Sequence, residues 1–144
     1  MKNRTLLMIP GPIEFEPAVL AAMGAPTTSH LAPNVIEAFG QALERMRRVF
    51  LSDDGQPFVL AGSGTLAMDT AGANLVEAGD RALVVNTGYF GDRYAALLER
   101  YGARVTQVKA PPGGRPSLEE VESALQNGAY KLVAITHVDT STGV

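Results

Sequence analysis

Three short segments of this chain collect residue types that hold charged ligands. In Leu60-Ala61-Gly62-Ser63-Gly64-Thr65 an apolar run gives way to small residues and then to a helical pattern rich in Ala and Leu. Such a turn lets backbone N–H groups converge on an anion, where the positive end of a helix dipole also lies. Ser63 and Thr65 add hydroxyl donors. No Lys follows Gly64, so this is not a nucleotide P-loop, and the spacing of a dinucleotide fingerprint is missing. A small phosphate group suits the turn. A glycine-rich corner with Ser or Thr as a plain helix N-cap suits it equally.

The second segment, Asn86-Thr87-Gly88-Tyr89-Phe90-Gly91-Asp92-Arg93, joins an apolar run to a helical pattern. Ligands of open α/β sheets gather at the carboxyl ends of strands, so an aromatic residue at this corner can cover a flat ring. Taken alone, Tyr89 and Phe90 read first as packing residues. The third segment, Thr136-His137-Val138-Asp139-Thr140-Ser141-Thr142-Gly143, again follows an apolar run and brings hydroxyls and a carboxylate to the same sheet end. Three such corners in succession favour a binding site over scattered polar residues.

The elements that must carry these corners follow from periodicity. Met1 to Pro33 holds Pro10, Pro12, Pro17, Pro26 and Pro33, which break long helices and predict an extended N-terminal arm over residues 1–33. From Asn34, apolar Val35, Ile36, Phe39, Leu43, Met46 and Phe50 recur at helical spacing, predicting an amphipathic helix with one buried face. Beyond it, short apolar runs alternate with helical patterns, as in stacked βαβ units. Strands are expected at Phe58–Leu60, Ala82–Val85, Arg104–Val108 and Leu132–Thr136, and helices at Thr65–Val76, Tyr89–Tyr101 and Ser117–Gln126. Ser117 and Glu120 form a capping box, and Gly79, Gly102 and Gly128 stand where a left-handed residue ends a helix. The fold class is therefore α/β, with residues 34–144 as one domain built on a mostly parallel sheet with flanking helices.

Bulk properties exclude several classes. A net charge of -3 leaves no basic footprint for nucleic acid or anionic lipid. With no cysteine and two histidines, the sequence predicts neither disulfides nor a metal centre. No apolar run approaches a membrane span or a signal peptide. The chain reads as soluble and intracellular, cytoplasmic, with a peroxisomal or mitochondrial address open if the source is eukaryotic.

Taken together, the motifs resemble the class V aminotransferases of the fold type I pyridoxal-phosphate (PLP) enzymes, in particular the alanine–glyoxylate and serine–glyoxylate group. The matching pieces are Ile9-Pro10-Gly11-Pro12, Ser29-His30, the three corners above and Tyr101-Gly102-Ala103. They occur in the family's order and span nearly the whole chain. The resemblance implies the N-terminal part of the PLP-binding large domain. It also implies that Ser63, Gly64 and Thr65 hold the cofactor phosphate. Phe90 stands where the family stacks an aromatic ring, often Trp, on the pyridine. Thr140 brings a hydroxyl to the ring's 3′ oxygen, and Gly11 lies against the substrate carboxylate. Position 65 is often His in animal relatives, so Thr65 keeps a donor on a smaller wall.

The implied reaction takes an amino group from alanine or serine and passes it to glyoxylate, giving glycine. That chemistry needs a lysine to hold the cofactor covalently and a carboxylate to protonate the pyridine nitrogen. Lys2, Lys109 and Lys131 are the only lysines and none has a family-like context. In the family both groups, and the arginine that clamps the substrate, come later in the chain. The expectation is that a C-terminal remainder exists, as a separate chain or as further residues, and that this segment alone is inactive. The resemblance also implies a homodimer. An inactive fragment and a related class V activity such as cysteine desulfuration are the competing readings.

Overall fold

The computed structural model describes residues 5–144, so Lys2 lies outside the described residues. Two compact units emerge among the described residues, one of residues 5–14 and 62–144 and the other of residues 15–61. The second holds α1 (Pro17–Met23) and α2 (Pro33–Val49), each with a proline in its first turn, where the missing N–H costs no hydrogen bond. Helix α1 interrupts the stretch expected to be extended. The stripe on α2 also departs from expectation. No α2 residue is buried, Ile36 and Phe39 are at least half exposed, and within the stripe only Val35, Leu43 and Met46 are partly covered. Periodicity reveals that a face is apolar, but what covers it has to come from elsewhere.

The larger unit is built as α3 (Gly64–Leu75), β1 (Arg81–Asn86), α4 (Tyr89–Arg100), β2 (Arg104–Lys109), α5 (Leu118–Gln126) and β3 (Leu132–Ile135). The three strands are parallel in the order β2-β1-β3, with Arg81 opposite Arg104 and Ala82 opposite Leu132. Central position explains the uninterrupted apolar run of β1: Ala82, Leu83, Val84 and Val85 are all buried. Ala82, Val84 and Ala134 join Val76, Ala95, Leu98 and Ala103 in one cluster, with Tyr94 and Tyr101 packed against it. Complete burial of Leu98 contributes about 1.5–3 kcal/mol. Tyr101 also ties α4 to α3 through its hydroxyl, 2.9 Å from Asp69 Oδ1.

The capping box forms as expected, with Ser117 Oγ accepting from the Glu120 N–H at 3.1 Å and Glu120 Oε2 accepting from the Ser117 N–H at 2.7 Å. Gly79 and Gly102 take φ of +93° and +84°. Gly128 does not; a side chain there would run into the Arg81 guanidinium. The strand expected at Phe58–Leu60 is absent, and the three residues have no regular structure and are between 56% and 80% exposed. A parallel strand needs a ladder partner, and none of the described residues supplies one. Among the described residues, no helix is long and apolar enough to cross a membrane.

Candidate functional site

Parallel pairing brings the carboxyl ends of β1 and β3 together, and the loops that follow them are laced to each other. The Tyr89 N–H donates to Ser141 Oγ at 2.9 Å, and Thr142 Oγ1 donates to the Thr87 carbonyl at 2.8 Å. At the centre lies Asp139, with no exposed surface. Its Oδ2 accepts from the N–H groups of Phe90 (2.9 Å) and Gly91 (3.2 Å), while Oδ1 accepts from the Ser141 N–H (3.0 Å) and hydroxyl (2.7 Å). Burial alone would raise its pKa. The hydrogen bonds from the Ser141 hydroxyl and from the N–H groups of Ser141, Gly91 and Phe90 outweigh burial and hold the carboxyl below its ordinary range.

Asn86, also buried, organises the other side of this corner. Its Oδ1 accepts from the Gly88 N–H at 3.1 Å, and its Nδ2 donates to Asp92 Oδ1 at 2.8 Å and Gln107 Oε1 at 2.7 Å. Lys109 closes on the same Asp92 oxygen at 2.6 Å, so its ammonium, foremost, with Asn86 behind it, holds the Asp92 carboxyl low. The crowding requires glycine at two points. A Cβ at Gly88 would stand 2.7 Å from Asp139 Cγ, and one at Gly91 would stand 2.7 Å from Asn86 Cγ.

These contacts separate two helix N-termini chemically. The N-cap Gly88 gives α4 no side-chain cap, but Ser141 and Asp139 take the N–H groups of Tyr89, Phe90 and Gly91. That end is saturated. In α3, Ser63 Oγ takes only the Leu66 N–H at 3.3 Å, which leaves the N–H groups of Gly64 and Thr65 as open donors. An anion at this rim would therefore be held by α3 and not by α4.

Beside that open end is a cleft of about 320 Å³ lined by Gly64, Met68, Phe90, Tyr94, Ile135, Thr136, Val138 and Thr140. The expected residues Gly64, Phe90 and Thr140 thus meet around one cavity. Gly11 belongs to the same place, since a Cβ on it would lie 3.9 Å from Thr140 Oγ1. Ser63 fills the N-cap role that competed with anion binding, although an acceptor hydroxyl keeps its own proton to donate. Thr65 is not among the residues around that cavity; it lines a separate groove with Arg93 and Arg100 and has its N–H in the first turn of α3. Met68 and Tyr94 are four residues beyond Gly64 and Phe90, a spacing that places them on the same helix faces. Burial pushes the Tyr94 phenol up, keeping it a neutral hydroxyl.

The donor set fits PLP. The volume is at the small end of ligand sites, the walls are apolar and aromatic, Thr140 gives a hydroxyl, and open space adjoins Gly64 where a phosphate oxygen needs room. Neither described lysine reaches it. Lys109 is paired with Asp92, and Lys131 with Asp80 at 2.8 Å, at the opposite end of the sheet.

Known proteins align with this chain along almost all of its length. The sequence model of the class V aminotransferases matches residues 18–144. Alanine–glyoxylate aminotransferase 1 of Saccharomyces cerevisiae is 41% identical, over 99% of this chain and 39% of the yeast protein. The crystal structure of an alanine–glyoxylate aminotransferase from Nostoc sp. superposes with a TM-score of 0.81 at 37% identity, over 96% of this chain and 37% of that one. The ureidoglycine–glyoxylate aminotransferase of Bacillus subtilis superposes with a TM-score of 0.82 at 27% identity, over 99% and 38%. The chain spans less than two fifths of the length of these relatives. Its parallel sheet with flanking helices is the architecture expected of part of a fold type I large domain. The chain belongs to the class V aminotransferase family.

Proposed function

We propose that the cleft between Gly64, Phe90 and Thr140 is the PLP site of an aminotransferase that moves an amino group from alanine or serine to glyoxylate, and that it works only with the rest of the polypeptide. The observation that carries this reading is the meeting of those three residues beside the open end of α3. The N–H groups of Gly64 and Thr65, with the Ser63 hydroxyl, receive the phosphate. Phe90 lays its ring on the pyridine, and Thr140 donates to the 3′ oxygen. Gly11, beside Thr140, offers backbone to the substrate carboxylate. When bound, the cofactor supplies an electron sink for the charge left on the amino-acid α-carbon once its proton is removed. Apolar Met68, Ile135 and Val138 line the cleft where that charge would develop.

The proton itself needs a base that the described residues do not bring to the cleft. The covalent lysine, the carboxylate for the pyridine nitrogen and the substrate-clamping arginine are therefore assigned to the remaining polypeptide, and this segment alone transfers no amino group. Glyoxylate as acceptor is supported by all three relatives named above, whereas the donor differs between alanine and ureidoglycine. The resemblance to the fold type I enzymes, with a proline-rich N-terminal arm that has little core of its own, supports a homodimer.

The test uses the intact polypeptide purified with PLP. An absorbance band near the visible edge that disappears on borohydride treatment, with glycine formed from glyoxylate at the expense of alanine or serine, is the expected result. No band and no glycine would refute the proposal. Sulfur release from cysteine without glycine formation would move the activity to the desulfurases.

A further inference from the structure

We infer that Asp139 is a positioning residue that fixes the segments carrying Phe90 and Thr140 against each other at the cleft. This rests on the PLP reading given above. Phe90 and Thr140 lie on different elements, separated by fifty positions in the chain, so contacts local to either one do not set its place relative to the other. Helix α4 has no side-chain cap of its own, so the placement of its first turn, and of Phe90 within it, falls to whatever takes the N–H groups of Phe90 and Gly91. That acceptor is Asp139 Oδ2. Its other oxygen holds the Ser141 N–H and hydroxyl, which fixes the loop on the far side of Thr140. Ser141 Oγ then takes the Tyr89 N–H and closes the ring of contacts. One carboxylate thus has one oxygen on each segment, with no exposed surface through which water could replace either set of bonds.

The division of labour between the oxygens makes Asp139→Asn a sharp perturbation. An amide presents one oxygen and one NH2 group, so whichever way it turns, an NH2 faces an N–H donor, and either the Phe90 and Gly91 N–H groups or the Ser141 N–H lose their acceptor. In the intact protein, Asp139→Asn should speed hydrogen exchange of the Phe90 and Gly91 amides, or of the Ser141 amide, by about 10- to 100-fold, as expected for loss of charge-assisted bonds. PLP affinity should fall about 10-fold or more, and the visible circular dichroism per bound cofactor should change, because the ring loses its fixed wall. Ser141→Ala should produce the same signature more weakly, and Ser141→Thr, which keeps the hydroxyl, should restore it. These two variants carry the test if Asp139→Asn fails to fold.

Asp80→Asn serves as the control for general destabilisation, since Asp80 accepts from the Glu77 N–H and pairs with Lys131 at the other end of the sheet. It should leave PLP affinity and the dichroism unchanged. The inference is overturned if the three amides exchange at wild-type rates in Asp139→Asn. It is equally overturned if they are released while affinity and dichroism stay put, or if Asp80→Asn weakens PLP as much. A wild-type protein that takes no PLP sinks the functional reading and removes the cofactor role of Asp139 with it. The exchange pattern, which needs no cofactor, tells that failure apart from a failure of the tie itself.

Discussion

Gly91→Ala tests how tightly the corner after β1 is built. The added Cβ would lie 2.7 Å from Asn86 Cγ and 3.0 Å from Asn86 Cα, so one obstacle is backbone and the other is a side chain that cannot swing freely. Asn86 is 3% exposed and holds Gly88, Asp92 and Gln107. Making room means giving up about two of these bonds, one of them to a carboxylate, at about 2–4 kcal/mol together. Alanine's better helix propensity returns about 1 kcal/mol, leaving a net loss of about 1–3 kcal/mol. Denaturant unfolding of the intact protein measures it, and a double-mutant cycle identifies the cause. In an Asn86→Ala background most of the obstacle is gone, so Gly91→Ala should cost less than about 1 kcal/mol more. Wild-type stability for Gly91→Ala would refute the reasoning, as would the same full cost with and without the Asn86 side chain.

Phe90→Leu keeps an apolar wall but loses the stacking face, so PLP should bind about 3- to 10-fold more weakly, while Phe90→Trp should bind at least as tightly as wild type; unchanged affinity in Phe90→Leu, by equilibrium titration, would contradict the stacking role. The depressed pKa of Asp139 means the folded state holds its proton less tightly than the unfolded chain. Its contribution to stability is complete above the unfolded value of about 3.9 and is lost as pH falls through the lower folded value. Acid unfolding profiles should therefore be flatter below about pH 4 in Asp139→Asn than in wild type, and parallel profiles would count against it. Lys109→Met removes an exposed ion pair with Asp92 and should change stability by less than about 1 kcal/mol with activity retained; loss of the cofactor band would place the covalent lysine in this chain after all.

Helices α2 to α5 and the three paired strands were legible because each carries its own signal, whereas α1 lay hidden in a stretch whose prolines read as extended. The run Ala82–Val85 is what a strand covered on both faces requires, and Ser117 with Glu120 is a signal complete within four residues. Phe58–Leu60 carried the same apolar signal without a partner to make it a strand, and the α2 stripe announced a face without its cover. Of the site, glycines and hydroxyls at strand ends marked where to look, and Gly64, Phe90, Thr140 and Gly11 do converge. Asp139 was invisible as a cap because helix capping is read from neighbours in sequence, and this cap reaches across 48 and 49 positions. The side chain of Thr65 could not be aimed from its place in the motif, since one step along a helix turns a residue about 100°.

The most direct test of the central claim is an experimental structure of the intact protein with PLP. The account predicts density for the phosphate at the Gly64 and Thr65 N–H groups and for the ring between Phe90 and the Thr140 hydroxyl. Cofactor density elsewhere on the protein, with water or side chains filling the cleft beside Gly64, would contradict it.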